Sequence, residues 1–153
     1  MSSIKDRGRP SVRENELKWT KDVWDAGWTA IPNTILTHQH ELKIDPVEFN
    51  ILMQIAKHCW YQGRQPYPAK WSIAETIKRS PRTVQRHLAK LEKKGYIKRV
   101  HRFTGNGGGQ TSNEYDLSGL IAAATPHAET DLRKKRSRRS EGEYAKKSAE
   151  AGS

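Results

Sequence analysis

Arg82, Thr83, Gln85, Arg86 and Lys90 fall within nine residues and carry complementary hydrogen-bonding chemistry. A guanidinium fork matches the O6 and N7 acceptors of guanine, a carboxamide matches adenine, and a threonine methyl packs on the thymine methyl. The same Arg and Lys side chains bind phosphate oxygens. At 3.6 residues per turn these positions share one side with Ala89. Val84, Leu88 and Leu91 recur on the other side at i, i+4 and i+7. The spacing therefore predicts a helix over about 81–94 with one face buried and one face rich in donors. Its ends are marked: Ser80 as N-cap and Pro81 at the first helical position. Lys93 and Lys94 suit the negative end of the helix dipole, and Gly95 suits a left-handed stop.

Such a helix needs a scaffold that holds its apolar side. A short helix from near Ser72 to about Arg79 offers Ile73, Ala74 and Ile77 for that purpose. Further upstream, Asp45, Pro46 and Glu48 mark a helix start, with Asp as N-cap and Glu at N3. Phe49, Leu52, Met53, Ala56 and Trp60 then form a candidate stripe, and the Gln62–Pro68 segment ends it. Before it, Trp28–Ile31 reads as a short extended piece and Pro32–Leu36 as a short helix or turn. After Gly95, Tyr96–Phe103 has strand composition, and Thr104–Gln110 is a glycine-rich turn. Ser112–Leu117 is the partner strand, with Asn113, Tyr115 and Leu117 on one face. Ser118–Ala124 closes the unit as a brief helix. The expected fold class is thus mainly α with a small β-hairpin wing: a winged helix-turn-helix with flexible N- and C-terminal tails.

Charge points the same way. The formal net charge is +11. Lys70–Arg102 holds eleven Lys or Arg against Glu75 and Glu92, a net of +9, so the rest of the chain nets only +2. A local excess of this size implies a polyanionic partner, nucleic acid first and an anionic membrane surface second. The hydrophobic fraction is 34%, low for a chain folded throughout. We therefore expect a flexible basic arm over 1–18, a folded domain over 19–124 and a disordered basic tail over 125–153. All five tryptophans lie in the middle segment. One cysteine, Cys59, precludes an intrachain disulfide and suits a reducing compartment. No run has the length of a membrane span and no signal-peptide core is present, so the expected location is cytoplasmic.

The stretch from Ser72 to Ile97 resembles bacterial, phage and plasmid winged helix-turn-helix DNA-binding proteins. The resemblance is carried by Ser72-Ile73-Ala74, Ser80, Thr83-Val84, Arg86, Leu88, Leu91-Glu92 and Gly95-Tyr96-Ile97. Ala30-Ile31-Pro32-Asn33 and Asn113-Glu114-Tyr115-Asp116-Leu117 extend it to about residues 28–120. It implies that Ser80, Arg82, Thr83, Gln85 and Arg86 face DNA, and that the hairpin at Arg99–Gln110 lies over the backbone or minor groove. Two departures stand out. Lys78 occupies a position before the turn where many relatives have glycine, and the wing tip is unusually glycine-rich.

The candidate DNA-binding set is Ser72, Ser80, Arg82, Thr83, Gln85, Arg86, Lys90, Arg99 and Arg102, with Arg7 and Arg9 from the arm. Arg7-Gly8-Arg9-Pro10 matches the core of an AT-hook, which enters an A·T-rich minor groove; an ordinary flexible arm is the alternative. The run Arg133–Arg139 is a phosphate binder or a solvating tail. Neither His38/His40 nor His58/Cys59 has zinc-ligand spacing, and no nucleophile elbow or phosphate loop is present. No cofactor, metal or catalytic role is expected, and the chain reads as a non-enzyme. The expected partner is double-stranded DNA, with the protein acting as a transcriptional regulator on a mobile element or bacterial genome. Replication initiation or replisome organisation, with the tails recruiting a partner protein, is the alternative; a protein-interaction winged helix is the third. A homodimer stays open, because winged helices often pair to read palindromes, and Trp19, Trp24 and Trp28 offer either core packing or a dimer contact.

Overall fold

The computed structural model describes residues 12–58, 68–100 and 113–152. The chain divides into two compact units, one ending at Ala30 and one beginning at Ile31.

In the first unit the described residues form two short helices, α1 (Val12–Trp19) and α2 (Lys21–Asp25). The expected arm thus turns helical at its end. Glu14 in the first turn and Lys18 in the last turn complement the α1 dipole. Trp24 stacks on Trp28 with ring centroids 5.1 Å apart, and the Lys18 ammonium lies 5.1 Å from the Trp19 ring centre. Arg7 and Arg9 lie outside the described residues.

The second unit runs α3 (Asn33–Thr37), α4 (Pro46–Ala56), α5 (Lys70–Ile77), α6 (Pro81–Lys93), β1 (Lys98–Val100), β2 (Glu114–Asp116) and α7 (Ser118–Ala151). It is mainly helical with a two-stranded antiparallel sheet, in which Lys98 faces Asp116, Arg99 faces Tyr115 and Val100 faces Glu114. The anticipated caps form. The Asp45 side chain accepts from the Glu48 backbone while Glu48 reaches back to the Asp45 N–H, a complete capping box. Ser80 Oγ accepts from the Thr83 N–H at 3.1 Å, and Gly95 adopts φ 76°.

The core is drawn from every helix of the unit except the distal part of α7. Ile51, Leu52 and Ile55 of α4 meet Ile73 and Ala74 of α5 and Val84, Leu88 and Leu91 of α6. Ile97, Tyr115 and Leu120 close the far side. The buried face of α4 is rotated from the expected stripe: Phe49 and Met53 flank it, and Glu48, 1% exposed, lies within it. Trp60 and Cys59 lie outside the described residues.

The C-terminal tail departs most from expectation. The composition predicts a helix ending at Ala124 and a disordered segment over 125–153, whereas α7 continues to Ala151. Its first part is docked. Leu120 and Ala124 are buried, α7 packs on α3, and Asp131 bonds His38 at 2.8 Å. The remainder is rich in Ala, Glu, Lys and Arg, all strong helix formers. Low apolar content excludes a core, not a helix. No helix of the described residues is long and apolar enough to cross a membrane.

Candidate nucleic-acid interface

The short turn between α5 and α6 sets the geometry. Lys78 ends α5 in the left-handed conformation, φ 52° and ψ 50°, and its N–H and that of Arg79 return to the last carbonyls of α5. This is a glycine-like C-cap made by a lysine, which accounts for the departure noted at that position. Ser80 then restarts the chain as the N-cap of α6. The two helices pack on each other, with Ile73, Ala74, Val84 and Leu88 in the shared core.

With Val84, His87, Leu88 and Leu91 buried, the opposite face of α6 is free. Arg82, Arg86, Lys90 and Lys93 are exposed and follow one another at four- and three-residue steps, so they form one row along that face. Arg82, Arg86, Lys90 and Lys93 form no ion pair among the described residues. Gln85 flanks the row, and its Oε1 accepts from Lys70 Nζ at 2.7 Å. That bond ties the first turn of α5 to α6 and leaves the Gln85 amide N–H groups as its free donors. Nothing in the spacing of Lys70 announces this role. Ser72 is half-buried in the first turn of α5, beside the exposed Trp71. Ser80 and Thr83 share a hydroxyl contact at 2.9 Å, so both are engaged in capping.

Other cations in this stretch are committed elsewhere. Lys94 Nζ bonds the buried Glu48 carboxylate at 2.7 Å and the Lys43 carbonyl at 2.5 Å. Arg99 holds Glu92 through Nε at 3.0 Å and a terminal nitrogen at 2.5 Å. Glu92 therefore raises the Arg99 pKa above its ordinary value, with burial acting against it. Arg99 fastens β1 to α6, a structural duty within the expected wing contact. Arg102 and the hairpin tip lie outside the described residues.

The fold also assembles a group that spacing does not reveal. Asp45, Glu48 and His87 bring one ligand atom each within 4.8 Å of one another. Both carboxylates serve the capping box, however, and Lys94 already supplies a cation to Glu48. The cluster fits a structural junction between α4 and α6 better than a metal site. Elsewhere in the unit, His38 bonds Asp131, approaches Glu41 at 3.4 Å and stacks on His127 at 4.8 Å. The Asp131 hydrogen bond raises the His38 pKa against the opposing effect of desolvation.

Residues 42–97 match the family model described as a helix-turn-helix domain. No curated protein matches the chain. Among solved structures, the N-terminal domain of DnaD protein from Geobacillus kaustophilus HTA426 is similar at 21% identity and a TM-score of 0.53. The likeness covers 74% of this chain and 92% of that one. A possible transcriptional regulator from Methanosarcina mazei Go1 is 16% identical, with a TM-score of 0.42 and coverage of 71% and 85%. A MarR protein from Peptoclostridium difficile is 17% identical, with a TM-score of 0.37 and coverage of 90% and 76%. The first likeness concerns fold alone; the other two are too distant to carry an argument. Capped tight turn, half-buried basic helix and following antiparallel pair agree with that match: residues 42–97 are similar to the helix-turn-helix domain model, set in a winged-helix fold.

Proposed function

We propose that the domain binds double-stranded DNA sequence-specifically, with α6 in the major groove, and acts as a transcriptional regulator. The observation that carries this reading is the row Arg82, Arg86, Lys90 and Lys93, without an ion pair among the described residues, on the exposed face of a helix whose other face is core. A B-form major groove about 12 Å wide accepts one such helix. Arg82 and Arg86 then supply the base-reading forks, and Lys90 and Lys93 lie along the phosphates. Gln85, with its oxygen engaged by Lys70, offers N–H donors, which suits the N7 and O6 acceptors of a purine edge. Ser80 and Thr83 hold the helix start in register. Arg99 supports the wing through Glu92, while Arg102, Arg7 and Arg9 are candidate contacts from the wing tip and the arm.

The test is selection of bound duplexes from a random pool, followed by affinity measurements on the selected site and on random DNA. Arg82→Ala and Arg86→Ala should each cost about 1–3 kcal/mol on the selected site and less on random sequence. Placing that site upstream of a reporter, with the protein supplied in trans, should change transcription. No enriched motif, or equal losses on both duplexes, contradicts the reading.

A further inference from the structure

We propose that residues 133–139 of α7 form a second DNA-binding element, a helix that seats between the two phosphate walls of a B-form major groove. The proposal rests on the DNA reading given above. Helix α7 begins at the C-terminal end of α6, where Gly119 lies so near Gly95 that an added Cβ would sit 1.7 Å from the Gly95 oxygen. The Asp131–His38 bond fixes it again three turns later. Its direction is therefore set by the folded unit up to Asp131. From Leu132 to Gly152 every residue is exposed.

Arg133, Lys134, Lys135, Arg136, Arg138 and Arg139 step around that free helix at about 100° per residue. They cover its whole circumference. A helix lying on a flat anionic surface uses one side and leaves the rest in solvent. A groove with a phosphate wall on each side uses nearly all of it. A helix with side chains, about 10–12 Å across, matches a B-form major groove of about 12 Å. Free in water, the segment repels itself. The pairs 133/136, 134/138, 135/138, 135/139 and 136/139 place like charges at i,i+3 or i,i+4. No acid intervenes between Leu132 and Ser140, and the Arg139–Glu143 pair at 3.2 Å comes only at the end of the run. Phosphates remove this repulsion, so DNA binding and helix order in this segment reinforce each other. The deep, narrow major groove of A-form RNA does not admit a helix. B-form DNA is the occupant.

The experiment uses the full chain and a variant carrying R133Q, K134Q, K135Q, R136Q, R138Q and R139Q, since glutamine keeps helix propensity. Binding to a random-sequence DNA duplex is measured across a salt series, with far-ultraviolet circular dichroism on free and bound protein. The log–log salt slope should become shallower by about 0.9 for each phosphate contact removed, hence by roughly 3 to 5 units. The parent chain's helical signal should persist to higher temperature on duplex DNA than in the free protein, with no such gain on duplex RNA, and the variant should show neither. An unchanged slope in the variant overturns the proposal. So does an equal thermal gain on duplex RNA. Failure of the α6 reading looks different: R82A and R86A would keep the parent's site preference while the six-glutamine variant still showed the shallower slope.

Discussion

Lys78 and His38, both in the second unit, are held by the fold in states that an isolated peptide would avoid. Lys78 sits at φ 52°, ψ 50°, where an L-residue places its Cβ too near the following carbonyl oxygen, at a cost of about 1–2 kcal/mol. Part of that returns as backbone entropy when glycine is substituted. Lys78→Gly should therefore raise stability by about 0.5–1 kcal/mol in chemical denaturation, and it leaves the free row on α6 untouched. His38 is held above its ordinary pKa, chiefly by Asp131. A raised folded-state pKa gives stability that is full below the unfolded histidine value of about 6.5 and lost as pH rises through the folded value. Melting temperatures of the parent chain and Asp131→Asn should differ most at acidic pH, near 6. That difference should narrow as pH rises. Glu41 also faces His38, and His127 stacks on it, so a gap that does not change with pH would place the coupling on those neighbours instead.

At the scale of elements, the start of α7 lies closely against the turn that follows α6. The Cβ of an alanine at 119 would meet the Gly95 carbonyl oxygen at 1.7 Å, which is backbone and cannot swing aside. Gly119→Ala should destabilise the unit by about 1–3 kcal/mol through overpacking. An unchanged denaturation midpoint would show that α7 does not start where described. The legibility of these elements follows the physics that fixes them. Capping is local, so Asp45–Glu48 and Ser80–Thr83 were readable from residue order. The Val84, Leu88 and Leu91 stripe was readable because one helical period carries it. The face of α4 was misplaced because a buried ion pair from Lys94 lets Glu48 enter the core, and that partner is remote in sequence. Helix α7 exceeded its expected length for two reasons. His38 captures Asp131 across the fold, and the charged remainder has helix propensity without apolar periodicity.

For the whole molecule, the distribution of cations matters more than their number. Of the basic residues between Lys70 and Arg102, Lys94 and Arg99 neutralise Glu48 and Glu92, and Lys70 orients Gln85. The excess charge read from the sequence thus resolves into structural pairs and a free row on α6. Sequence alone placed Arg82, Arg86 and Lys90 on that row, and it assigned Arg99 to the wing without its tie to Glu92. The central claim is that the row reads bases as well as phosphates. The most direct measurement is the ratio of affinities for a selected site and a random duplex, taken at one salt concentration for the parent chain, Arg86→Ala and Lys93→Gln. Arg86→Ala should lower that ratio by about 5- to 100-fold, whereas Lys93→Gln should weaken both duplexes alike. Equal effects of the two substitutions on the ratio would contradict a base-reading role for α6.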